Sequence, residues 1–194
     1  MIDPALIRLA VPARLVTARL ELRRDAVEDA PAVLAAVRAS HADLAPWLSW
    51  ITSGYDLAEA TRGQRRAIEY WNAGDSFQWR LWSTAGTGGA GAAGAAGVFI
   101  GSIDLHTIDW DHHTAELGYW LDSRAAGHGF ASEAGRAIAQ VAFELLGFAR
   151  LDLRCHPDNA RSLATAHRLG FTVHDRESDG TVDLRRLAAP GHRP

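Results

Sequence analysis

Between a strand-like run ending at Leu121 and a helix-like run beginning at Phe130 lies the loop Arg124-Ala125-Ala126-Gly127-His128-Gly129, with two glycines separated by one residue. A strand that turns tightly into a helix and then reaches another strand-like run, Arg150 to Cys155, requires a parallel crossover. Glycines at this spacing let the backbone turn sharply and approach a ligand closely. The first turn of the following helix carries amide groups without partners inside the helix, at the positive end of its dipole. Such a loop suits a phosphate, and Arg124 is placed to add a bidentate positive clamp. An ordinary strand-to-helix turn has the same pattern, so the remainder of the chain must decide between the two.

Upstream, Val16 to Arg23 alternates apolar and polar residues and reads as a first strand. Asp25 and Glu28 form a capping signal for a helix through Val33, Leu34 and Val37, although Pro31 moves its expected start toward Asp29. A short aromatic helical piece, His41 to Trp50, follows. Asp56 to Asn72 reads as a second helix with Arg62, Arg65 and Arg66 on its solvated face and Ile68 and Trp71 turned inward, ending at Gly74. Strand patterns recur at Phe77–Trp82, Val98–His106 and Thr114–Leu121. After the glycine loop, Phe130, Ala134, Ile138, Val141, Ala142 and Leu145 form one apolar helical stripe. Asp158 or Asn159 caps a further helix through Leu169, and a hairpin closes the pattern at Phe171–Val173 and Thr181–Leu187. The order is that of an α/β mixed sheet, not of a regular βαβ repeat.

One domain is expected over residues 1–194, with its core over residues 15–187, a Gly/Ala-rich insert at 84–97 on a hairpin tip and a frayed tail at 188–194. An apolar content of 47% and a charged content of 22% are globular values, and a net charge of −3 gives no basic excess that would call for nucleic acid. No apolar run approaches the ~20 residues that span a bilayer, and Asp3, Pro4, Arg8, Pro12, Arg14 and Arg19 interrupt the first stretch too often for a secretory signal. The single cysteine, Cys155, excludes an intrachain disulfide and fits a cytoplasmic protein. There is no lysine; all 20 basic side chains are arginine, which excludes a lysine Schiff base and a Walker A loop.

Five features together resemble the GNAT N-acetyltransferase superfamily, and within it the ribosomal-protein N-terminal acetyltransferase branch: Leu20-Glu21-Leu22-Arg23 with Asp29-Ala30; Ile100-Gly101-Ser102-Ile103; Ala115-Glu116-Leu117-Gly118-Tyr119-Trp120-Leu121; Gly127 to Ala134; and Asp158-Asn159-Ala160-Arg161-Ser162 with Leu169-Gly170-Phe171. The resemblance implies a central, mostly antiparallel sheet of six to seven strands flanked by about four helices. It implies acetyl-coenzyme A as cosubstrate and a primary amine as acceptor, either a protein N-terminus or a small molecule. It implies that the fourth and fifth strands splay apart, so that the pantetheine arm pairs with the backbone of Leu117, Gly118, Tyr119, Trp120 and Leu121. The pyrophosphate would rest on Ala125, Ala126, Gly127, His128, Gly129, Phe130 and Ala131 with Arg124 nearby, and Asn159 and Ser162 would contact the donor. Members of the superfamily often pair as homodimers.

Acyl transfer to an amine needs a base for the ammonium, a polarised thioester carbonyl and a proton for the leaving thiolate. Glu116 is the candidate base, directly or through water; its alternative is an outward-facing strand glutamate. Ser162 is the candidate for the thiolate; its alternative is a first-turn hydroxyl that satisfies the backbone. A strand amide near Leu117 or Gly118 would polarise the carbonyl. Trp47 and Trp50 are read as lining the acceptor site, against a plain core role. Cys155 is read as a small strand residue rather than an acyl carrier. His106, Asp109, Asp111, His112 and His113 match no closed metal site, so no metal is expected, and His128 is expected to face solvent.

Three other functions remain open on these residues. A dinucleotide site would use Gly127 and Gly129 with Asp152 as the ribose acid, but Ser132 replaces the third glycine and Arg154 and Cys155 carry the strand past Asp152. A larger donor such as succinyl-coenzyme A, or a module that binds acyl-coenzyme A without turnover, also fits the loop.

Overall fold

The computed structural model describes residues 11–84 and 97–189. The expectations for the first ten residues, most of the Gly/Ala-rich insert and the end of the tail lie outside the described residues. One eight-stranded sheet has the order β1-β2-β3-β4-β5-β6-β8-β7. Its strands are β1 (Arg14–Val16), β2 (Leu20–Arg24), β3 (Phe77–Ser83), β4 (Val98–Asp109), β5 (Thr114–Leu121), β6 (Arg150–Cys155), β7 (Thr172–Arg176) and β8 (Val182–Leu187). Every neighbouring pair is antiparallel except β5 and β6. The helices are α1 (Ala30–Ala39), α2 (His41–Leu44), α3 (Leu57–Ala73), α4 (Phe130–Gln140) and α5 (Ala160–Arg168).

The count exceeds the expected six to seven strands because the first expected strand is a hairpin. The Thr17 amide donates to the Leu20 carbonyl, and the Leu20 amide donates back to the Thr17 hydroxyl, which folds β1 onto β2. Asp25 does not cap a helix. Its carboxylate is buried and faces the Arg80 guanidinium at 2.6 Å, so α1 starts at Ala30 with Pro31 in its first turn. Asp56 does cap α3, accepting from the Glu59 amide at 2.8 Å, and Gly74 ends it. Ser83 and Val98 are direct cross-strand partners, so residues 84–97 connect two paired strands.

Alternation along β5 sorts its side chains between two layers. Ala115, Leu117, Tyr119 and Leu121 pack into the large core with Phe130, Ala134 and Ile138 of α4 and Ala166 of α5. Trp120 points the other way, into a smaller cluster with Val33, Ala36 and Val37 of α1, Ile51 and Phe99. The apolar stripe of α4 runs into a π turn, Val141–Leu145. The wider turn rotates the register: Phe143 is buried and Leu145, expected inside, is half exposed.

Candidate active site

The parallel pairing of β5 with β6 covers only three residue pairs, Thr114 with Arg150, Ala115 with Leu151 and Glu116 with Asp152. Beyond Glu116 the two strands part, and the backbone from Leu117 to Leu121 loses its neighbour on that side. A cleft of about 900 Å³ fills the gap. It is bounded by β5, the glycine loop, the first turn of α4, one side of α5 along its length, the end of β6 and the segment around α2.

Of the residues expected to hold the donor, Tyr119, Trp120, Leu121, Ala126, Gly127, Gly129, Phe130, Ala131, Asn159 and Ser162 line this cleft, as does Trp47. Gly127 and Gly129 both have positive φ, +82° and +80°, which explains the need for glycine at two loop positions. Asn159 caps α5, its Oδ1 accepting from the Ser162 amide at 3.1 Å. Leu117 and Ala125 are buried and are not among the residues that line the cleft. The amides of Ala125 and Ala126 already donate to the Asp122 and Ser123 carbonyls. The Arg124 guanidinium is turned back onto Asp122, donating through Nε at 2.9 Å and Nη2 at 2.5 Å. The His128 ring stacks on Phe130 at 5.8 Å between centroids. Glu116, Gly118 and Trp50 lie outside the cleft lining; Trp50 packs against Trp120 at 6.0 Å and Tyr55 at 5.6 Å.

Ser162 has a partner that its spacing did not reveal. Its Oγ lies 3.0 Å from the Tyr119 hydroxyl. Burial pushes the Tyr119 phenol up, against smaller opposing effects of Ser162 and Thr165, so it keeps its proton at neutral pH. Cys155, also in the lining, has its thiol pushed up by burial, with a hydrogen bond from Ser162 working the other way. A thiol so held is protonated and a weak nucleophile.

The charges around the cleft were mostly illegible in the sequence. Arg154, Arg161 and Arg168 line it, and Asp43 is the one acidic residue among its lining residues. The Arg168 guanidinium donates to the Ser132 hydroxyl at 3.2 Å and to the Thr165 hydroxyl at 2.9 Å. Arg19, from the turn between β1 and β2, donates to the His128 carbonyl at 2.9 Å and pairs with Glu133 in the first turn of α4 at 2.7 Å. Glu133 also accepts from the Thr17 hydroxyl at 2.6 Å and the Arg19 amide at 2.9 Å. Burial works to raise its pKa, but these bonds and the Arg19 charge outweigh it and hold the carboxyl below its ordinary range. An acid in a first helical turn was visible in the sequence; its partner more than a hundred residues away was not.

Comparison with known proteins adds an independent line. A family profile described as "Acetyltransferase (GNAT) domain" matches residues 19–172. The ribosomal-protein-serine acetyltransferase of Escherichia coli (strain K12) is 36% identical over 74 residues, 38% of this chain and 41% of the relative. Such matches span between 40% and 44% of the length of the curated relatives. Among solved structures, RimL, a ribosomal alpha-N-protein acetyltransferase in complex with coenzyme A, superposes with a TM-score of 0.77 at 21% identity, covering 90% of this chain and 97% of that one. The microcin C7 self-immunity acetyltransferase MccE, in complex with acetyl-CoA and AMP, gives a TM-score of 0.75 at 19% identity over 95% of this chain and 99% of that one. At these identities the structural likeness is one of fold.

Proposed function

The chain belongs to the acetyltransferase (GNAT) domain family, and from that membership we propose that it moves the acetyl group of acetyl-coenzyme A directly to a primary amine. The observation that carries this reading is the end of β5–β6 pairing at Glu116 and Asp152. The parted strands leave a backbone edge that an extended, amide-bearing ligand pairs with as a further strand would. At the mouth of the same gap lie the glycine loop, the N-terminus of α4 and the guanidinium groups of Arg161 and Arg168, a donor set fitted to phosphates.

In this reading Glu116 takes the proton of the acceptor's ammonium, the amine attacks the thioester carbon and the C–S bond breaks. A strand amide at Leu117 or Gly118 stabilises the oxyanion. Ser162, backed by Tyr119, supplies the proton that the departing thiolate needs. The raised thiol of Cys155 favours direct transfer over an acyl-cysteine intermediate. The acceptor is the N-terminal amine of a protein, in keeping with the ribosomal-protein relatives, and Trp47, 39% exposed beside His156, lies on the wall that would receive it. Among the described residues no helix is long and apolar enough to cross a membrane, and action in the cytoplasm is part of the proposal.

Thiol release from acetyl- and succinyl-coenzyme A, measured against peptides of varied first residue and against small amines, tests this directly. Turnover with acetyl-coenzyme A and a peptide amine is the expected result. Tight binding of acetyl-coenzyme A with no turnover on any amine would leave only a binding module.

A further inference from the structure

Asp104 and His106 are consecutive residues on one face of β4, directly opposite Gly118 and Glu116 of β5. This is the face that also carries Trp120, away from α4 and α5. The His106 ring spans the two acids: its Nδ1 lies 2.7 Å from Asp104 Oδ1, and its Nε2 lies 3.6 Å from Glu116 Oε1. The ring fits there because residue 118 is glycine. A Cβ at that position would lie 2.6 Å from Asp104 Oδ1 and 3.0 Å from His106 Cε1. Glu116 is also the last residue of β5 paired with β6, so the bridged carboxylate sits where the strands begin to part.

We propose that His106, clamped by Asp104, is a positioning residue that holds a positive charge against the Glu116 carboxylate and keeps it in one orientation for taking the acceptor's proton. The proposal rests on the reading of Glu116 as base. One imidazolium between two carboxylates leaves one negative charge for the incoming ammonium. When the ammonium N–H breaks, its proton goes to a Glu116 oxygen and its electron pair goes to the thioester carbon. His106 keeps its own proton throughout. Burial works against the charged imidazole, but the bonds and charges of Asp104 and Glu116 outweigh it and push His106 up to about 10.

The neighbouring charges have partners of their own. Asp152 on β6 pairs with Arg150 and Arg185. Arg154, whose charge also acts on Glu116, pairs with Glu177 and Asp183. Asp25, which feels Asp104, pairs with Arg80, and the Gln78 amide donates to the second Asp104 oxygen at 3.4 Å.

The test is the pH profile of kcat/KM for a peptide amine in the wild type and in the variants His106→Gln, His106→Arg, Asp104→Asn and Glu116→Gln, with acetyl-coenzyme A affinity measured by calorimetry. For His106→Gln the acid limb should move up by about one pH unit, lowering activity about tenfold on that limb, while donor affinity stays within about twofold. His106→Arg should restore part of the shift, and Asp104→Asn, which removes a negative charge while the imidazolium stays protonated, should move the limb the opposite way, downward. If His106→Gln fails to bind the donor, Asp104→Asn decides. An acid limb that stays in place in both, with Glu116→Gln inactive, would sink the role of His106 and leave the base assignment standing. Full activity in Glu116→Gln would remove both.

Discussion

The Tyr119 hydroxyl and the Ser162 Oγ lie 3.0 Å apart, across the gap between β5 and α5. In the proposed mechanism the two hydroxyls form a pair in which whichever oxygen loses a proton is resupplied by the other. Tyr119→Phe and Ser162→Ala should each lower kcat by about 10²-fold with little change in the KM for acetyl-coenzyme A. If they act as a unit, as proposed, the double variant should be hardly worse than either single one. Steady-state kinetics on the three variants check this; additive losses would separate their roles.

Arg19 fastens the glycine loop from outside. Its guanidinium holds the His128 carbonyl and Glu133, and it covers the Phe130 ring at 4.7 Å. Arg19→Ala should weaken donor binding by about tenfold, through loss of order in the loop, and leave the KM for the amine unchanged. Calorimetric titration with coenzyme A measures the first effect and peptide kinetics the second.

Gly135 lets α4 and α5 approach closely. A Cβ there would lie 2.6 Å from Cδ1 and 2.9 Å from Cδ2 of Leu169, which is itself buried. Gly135→Ala should cost about 1–3 kcal/mol through overpacking, read as a lower midpoint in urea. It should also reduce turnover, since α5 carries Asn159 and Ser162.

Burial pushes Asp25 up from 3.8 to about 6, against the pull of Arg80. The folded chain therefore binds this proton more tightly than the unfolded chain does. Its contribution to stability is full below pH 3.8 and is lost as the pH rises through 6. Asp25→Asn should flatten that decline in urea denaturation measured from pH 4 to pH 7. Arg80→Ala, which leaves the carboxylate buried alone, should cost about 3–5 kcal/mol at neutral pH.

Local order was the legible part of this protein. The cap at Asp158 or Asn159, the glycine stops and the strand alternation are written in neighbouring residues, and they placed the glycine loop between strand and helix, whereas the parting of the strands was implied only by resemblance to a family. The hairpin at Thr17 escaped because the residues that pin it include Glu133, far along the chain. The π turn escaped because a stripe drawn at 3.6 residues assumes an even helix, and this one widens at Val141. Tyr119 was read for its backbone; only folding brings its side chain to Ser162. Arg124 is a caution of the opposite kind: expected as a phosphate clamp beside the glycine loop, it is drawn instead to the nearest carboxylate, Asp122.

The three residue pairs that join β5 to β6 are all the strand pairing between one half of the sheet and the other. Mechanically this is a seam stitched at one end. A donor seated along the open length would extend the stitching, coupling β1–β5 to β6–β8 through its own amides. Occupancy should then register far from the ligand, as slowed amide exchange in β6 and β8 together, and the molecule should unfold as one body when loaded more sharply than when empty.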